Sequence, residues 1–131
     1  MWEKSFEIGV KAIDDEHKAI IDEFSKLYDG MKVGKGHELY HEVISFLDNY
    51  VHTHLIHEEL FQQSINYPDY ELHKAKHDEF KLMIQELKDQ NIKEVTNEEL
   101  LRVNILMKNW LVNHILNMDM KIGDFLKEKN S

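Results

Sequence analysis

Residues 52–77 read HTHLIHEELFQQSINYPDYELHKAKH. The stretch joins the end of one helix to the start of the next. His54 and Glu58 are four apart, so on a helix they stack on one face. The segment Ser64-Ile65-Asn66-Tyr67-Pro68 then turns, because Pro68 disfavours helix before it and Asn66 favours a turn. His73 and His77 repeat the four-residue spacing in the following helix. A short turn makes the two helices antiparallel neighbours, which brings the HxxxE pair beside the HxxxH pair.

Working outward, residues 1–13 read as an arm anchored by Trp2, Phe6, Ile8, Val10 and Ile13. A first helix is expected from Asp14 or Asp15, either of which can cap it, to about Lys32. It ends at the loop around Gly34 and Gly36. The second runs from after Gly36 to about Gln63, and the third from a cap at Asp69 to about Asp89. The fourth opens at Thr96 with Glu99 three residues on, a capping box, and runs to about Asn117. A short terminal helix is expected near residues 121–127. With one proline and five glycines the composition favours helix. The reading is all-α: an up-down-up-down antiparallel four-helix bundle with an N-terminal arm, one domain over residues 1–131.

The apolar stripes step by three and four, the seam of a bundle. His17, Ile20/Ile21, Phe24, Leu27/Tyr28 and Met31 form the first. Leu47, Val51, His54, Glu58 and Phe61 form the second. His73, His77, Phe80, Ile84 and Leu87 form the third, and Leu100, Val103, Met107, Trp110 and His114 the fourth. Histidines and a glutamate thus sit where Leu or Ile would otherwise pack.

Those polar seam positions also share one end of the bundle. His17 lies near a helix start, His54 and Glu58 near an end, His73 and His77 near a start, His114 near an end. In alternating helices these termini converge. Asp119 follows His114 by five residues, roughly 140° away on a regular helix. It joins the group only if the helix loosens there, and Gly123 just beyond makes an irregularity reasonable.

Five imidazoles and two carboxylates suit a borderline metal such as iron. Closed structural zinc sites want four ligands. If Glu58 and Asp119 bridge two irons together with a solvent-derived oxygen, three histidines close one iron. The other two leave the second iron one open position. The remaining histidines act as a check. His37 and His41 lie 13 to 17 residues before His54, roughly 20–25 Å along the helix, and read as surface groups at the opposite end. His52 and His57 flank the ligand face, with His57 exposed or behind a ligand. Glu59 reads as a solvated carboxylate, since four-residue spacing from His54 favours Glu58.

The formal charge of −9 disfavours nucleic acid and anionic membrane surfaces. No apolar run approaches the length of a membrane span. With no cysteine there is no disulfide, thiolate site or catalytic thiol. The charged N-terminus has no apolar signal core, so the expectation is a cytoplasmic protein. No apolar seam is left over, which points to a monomer.

The N-terminal Trp, the IDDEHK stretch, HTHLIHEE, the YP turn before HKAKH, and WLVNHILNMD together resemble the hemerythrin family, over the whole chain and its single-domain bacteriohemerythrins in particular. The resemblance implies two iron ions, an oxo- or hydroxo-bridged di-iron centre without haem, that binds dioxygen reversibly for storage, transport or delivery. It implies His73, His77 and His114 on the six-coordinate iron, His17 and His54 on the iron that takes dioxygen, and Glu58 and Asp119 as bridges. No catalytic residue is implied. Ile20, Ile21, Leu55, Trp110 and Ile115 are candidates for an apolar wall around the dioxygen. Leu55 and the FQQSI stretch depart from the family's usual residues. The competing readings are an O2 or redox sensor, a di-iron oxidase or peroxidase, and a bundle without metal. Ferritin-like oxygenases use more carboxylates and ExxH pairs, unlike HxxxE here. A protein partner that consumes the delivered dioxygen would fit the leading reading.

Overall fold

A computed structural model describes residues 2–90 and 92–129, and every regular element among them is helical. They are α1 (Lys11–Lys32), α2 (Gly36–Phe46), α3 (His52–Ser64), α4 (Tyr70–Lys88), α5 (Asn97–His114) and α6 (Met120–Lys129). The π turns Leu47–Val51 and Ile115–Asp119 join α2 to α3 and α5 to α6, so six segments make four rods.

Paired contacts fix the directions. Lys26 meets Glu42 at 3.1 Å and Glu16 meets His54 at 2.8 Å, so α1 and the second rod run antiparallel. Lys88 meets Asp48 at 3.0 Å and Glu59 meets His77 at 2.9 Å, so α4 runs antiparallel to the second rod. Asn97 donates to the Met31 carbonyl at 2.6 Å, and Asp119 lies 3.1 Å from His17 at the other end of α1. The result is the up-down-up-down bundle expected from the loops.

The seam follows the expected stripes with two shifts. In the second rod Val43, Leu47, Val51, His54, Glu58 and Gln62 are buried, and Phe61 is only partly so. The widened turn at Leu47–Val51 keeps the four-residue steps on one side, where a regular helix would let them drift. In α5 the buried positions are Leu100, Asn104, Met107, Leu111 and His114, while Val103 and Trp110 pack at the edge.

Thr96 caps α5 through the Glu99 amide at 3.1 Å, as its capping box requires. Asp14 caps nothing. The first helix starts three residues earlier than expected, and the Asp14 carboxylate accepts from the amides of Ile8 (2.8 Å) and Gly9 (3.2 Å). That bond ties the arm to α1. Gly123 serves the arm as well, rather than loosening the helix. A Cβ there would lie 2.0 Å from the Ile8 carbonyl oxygen, so only glycine lets the arm cross α6. Asn66 takes the left-handed conformation (φ 57°) in the turn before Pro68. The expected terminal helix is present as α6, and it continues the fourth rod to Lys129 through the π turn at Ile115–Asp119. No described helix is long and apolar enough to cross a membrane.

Candidate metal centre

Four rods deliver His17, His54, Glu58, His73, His77, His114 and Asp119 to one end of the bundle, all buried. The four-residue spacings do the work inside α3 and α4. In the fourth rod the π turn does it. A π turn holds one residue more than an α turn, so Asp119 takes the place a residue four beyond His114 would occupy. Asp119 Oδ1 accordingly lies 3.1 Å from His114 Nε2.

The histidines turn their Nε2 atoms inward, and the two carboxylates divide them. Glu58 Oε1 faces His73 (2.8 Å) and His77 (3.2 Å), with His114 at 4.0 Å. Glu58 Oε2 faces His17 and His54, each at 3.3 Å. Asp119 repeats the division: Oδ1 faces His73 (2.7 Å) and His114, and Oδ2 faces His17 (3.1 Å). Three histidines therefore gather on one side and two on the other, with one oxygen of each carboxylate turned to each side. The ligand atoms of Glu58, His73, His77, His114 and Asp119 form one cluster with the dimensions of a cation site, and those of His17, His54 and Glu58 a second.

Charge is held in place here against burial. Burial by itself lowers the His17 pKa, yet hydrogen bonds and charge from Asp119 and Glu58 prevail and raise it to about 10. The same balance raises His73 to about 9. His54 is raised by Glu16 and Glu58, and His77 by Glu58 and Glu59, again against burial. Burial favours the neutral acid of Glu58, but the imidazoles of His17, His54, His73 and His77 hold it well below the carboxylate range. Asp119 is lowered too, with His114 and His17 overcoming burial and the Glu58 charge.

A cation fits this donor set. His77 Nε2, Glu58 Oε1 and both Asp119 oxygens are buried at ion-pair distances but lack hydrogen-bond geometry. Unsatisfied buried polar atoms of this kind are expensive, and a shared central cation satisfies several at once. His73 Nε2 and His114 Nε2 lie only 2.9 Å apart, the spacing of two adjacent ligands on one ion at about 2.1 Å.

A family model, the hemerythrin HHE cation binding domain, matches residues 8–126. The chain belongs to the hemerythrin family. A bacteriohemerythrin of Pseudomonas aeruginosa is 28% identical over 132 residues, covering 100% of this chain and 84% of the relative. A bacteriohemerythrin of Methylococcus capsulatus is 32% identical, covering 92% and 91% of the two chains. A myohemerythrin of Theromyzon tessulatum is 31% identical, covering 92% and 88%.

Around this cluster lie groups whose part the sequence did not reveal. Glu16 accepts from His54 Nδ1 and His57 Nδ1, both at 2.8 Å. Glu59 is mostly buried rather than solvated, and accepts from His77 Nδ1 at 2.9 Å. Both carboxyls have pKa values lowered by their histidines despite burial. Their sequence signal was faint: each is a glutamate adjoining a seam residue in a charge-rich helix. Gln62 is fully buried one turn beyond Glu58, and the Tyr67 ring stands 6.4 Å from His73. Burial and the charges of Asp69 and Asp119 push the Tyr67 hydroxyl up to about 12.

The apolar candidates divide. Ile20, Ile21, Leu55 and Ile115 are all but inaccessible. Trp110 instead stacks on His114 (4.8 Å, 9°) and Phe80 (4.5 Å, 20°), placing it on the three-histidine side. His57 is exposed while bonded to Glu16. His37 lies at the opposite end, bonded to the Val95 carbonyl.

Proposed function

We propose that this protein binds dioxygen reversibly at a di-iron centre and acts as a carrier or store rather than a catalyst. His73, His77 and His114 would hold one ion and His17 and His54 the other, with Glu58 and Asp119 serving both. One observation carries the reading: each carboxylate turns one oxygen to the three-histidine side and the other to the two-histidine side. Iron in such a set supplies reversible electron exchange with dioxygen.

The chain's own residues account for the rest. The unequal division of histidines reserves room for a small ligand on the His17/His54 side. Ile20 and Ile21 lie one turn along α1 from His17, and Leu55 adjoins His54; these residues exclude water there. Trp110 walls the other side, behind His114. At the two-histidine side the carboxylates Glu16 and Glu58 are engaged by two and by four imidazoles. Apolar side chains beside the ligands, with both carboxylates engaged, favour holding a ligand over transforming it.

The test is anaerobic loading with Fe(II), then cycles of air and argon. Two ions per chain and an optical change that reverses with each cycle are expected. Irreversible oxidation on first exposure would refute the carrier role, and turnover of a reductant or peroxide faster than that oxidation would make the protein an enzyme.

A further inference from the structure

Each half of the centre has one histidine whose outward nitrogen meets a carboxylate from another rod. On the two-histidine side this is His54, whose Nδ1 lies 2.8 Å from Oε1 of Glu16. On the three-histidine side it is His77, with Glu59 at 2.9 Å. By contrast, the Nδ1 atoms of His17 and His73 are buried without a protein partner. The other oxygen of Glu16 is taken by His57 Nδ1 at 2.8 Å, so the carboxylate is pinned at both ends. It has little freedom to swing into solvent, although its side chain retains 21% of its exposure. Glu16 also adjoins His17, so one turn of α1 contributes a ligand to the centre and a support for the other ligand of the same half.

A neutral imidazole that donates from Nδ1 must present a bare Nε2 on its other side, the form a cation takes up. A carboxylate at Nδ1 selects that tautomer, fixes the ring plane and strengthens the nitrogen as a donor. We infer that Glu16 is the positioning residue of the two-histidine half: its carboxylate, clamped by His57, orients His54 for the second cation, and Glu59 does the same for His77 in the other half. The inference rests on the two-cation reading above. The sequence of α1 therefore encodes selectivity between the halves, since losing Glu16 weakens one cation and spares the other.

The test uses Co(II) alone, titrated anaerobically against a competing chelator and followed by its visible absorption. The wild-type chain is expected to take two ions. In Glu16→Ala one ion should bind about 10- to 100-fold more weakly and the other as before. Glu16→Gln keeps one acceptor oxygen and should fall between. Glu16→Ala should cost nothing further in a His54→Ala background, and its full effect should persist in a His77→Ala background. Helical circular dichroism of each variant without metal, matched to wild type, separates these effects from misfolding. Equal weakening of both ions, or the same loss in both backgrounds, would overturn the assignment and leave Glu16 a general packing residue. A wild-type chain that fails to take two ions would instead refute the di-iron reading, with Glu16 intact.

Discussion

The two ends of this bundle are built on opposite principles. At the end holding Gly36 and Asn97, the polar groups of Gly36, Asn97 and Tyr40 find partners within the chain. The Gly36 amide donates to Asn97 Oδ1 at 2.7 Å, Asn97 Nδ2 donates to the Met31 carbonyl at 2.6 Å, and the Tyr40 hydroxyl donates to the Leu87 carbonyl at 2.9 Å. At the other end the seven convergent residues are buried together with Glu59 and Gln62, and several of their atoms find no directional partner. The first end is satisfied by groups of the chain itself; the second presents donors that a bound cation would satisfy. The long rods hold the two ends in register.

That contrast is open to attack, most forcefully at Glu58. Glu58→Ala removes the carboxylate facing four histidines and both halves of the centre. The variant is expected to retain neither ion after desalting, by elemental analysis, where wild type retains two. Removing metal from the wild-type chain should come next. Amide exchange is expected to accelerate strongly over residues 54–62 and 114–122, while residues 36–43 and 97–104 stay protected. Uniform acceleration along the rods would erase the distinction between the ends.

Gly123→Ala should have an intermediate effect. The new methyl collides with the Ile8 carbonyl, so the arm must lift and uncover Phe6 and Ile8. A loss of about 2–3 kcal/mol in urea unfolding is expected, in the range for overpacked cores. Asn97→Ala breaks two hydrogen bonds at the self-sufficient end and should cost about 1–2 kcal/mol with metal content unchanged. Loss of metal in that variant would mean the ends are not independent.

The smallest effect is a pH profile of the metal-free chain. His17 and His73 rise from 6.5 to about 10 and about 9 on folding, so their contribution is complete below 6.5. It fades as pH climbs through 9 and 10. Glu58 and Asp119 are lowered from 4.5 and 3.8, so theirs is present above those values and lost as pH falls. The metal-free melting temperature should peak between 4.5 and 6.5 and decline toward pH 10. Cation binding at neutral pH should release protons, measurable by calorimetry in buffers of different ionisation enthalpy.

The sequence made most of the bundle legible because helix ends carry local chemistry. Thr96 and Glu99 marked one start, and Asn66 with Pro68 marked a turn. The seven convergent residues were legible because four-residue spacing is a local property. Less legible were features set by neighbouring rods. Asp14 looked like a cap and is an anchor for the arm; Gly123 made an irregularity near Asp119 reasonable and is a seat for the arm. The α5 seam runs through Asn104 and Leu111 because the bundle rotates that rod away from Val103 and Trp110. The π turn at Leu47–Val51 had no sequence mark at all.

By itself, then, the sequence determined four helical rods, their alternation, and which side chains each would offer at one end. Periodicity and capping act over a few residues, so they are written along the chain. Only the tertiary structure decided how those side chains are shared. The division of each carboxylate between two histidine groups, the carboxylates behind His54 and His77, and the placement of Trp110 against His114 depend on the depth and rotation of one rod against another. These are set by packing of the whole core, which no single stretch of sequence encodes.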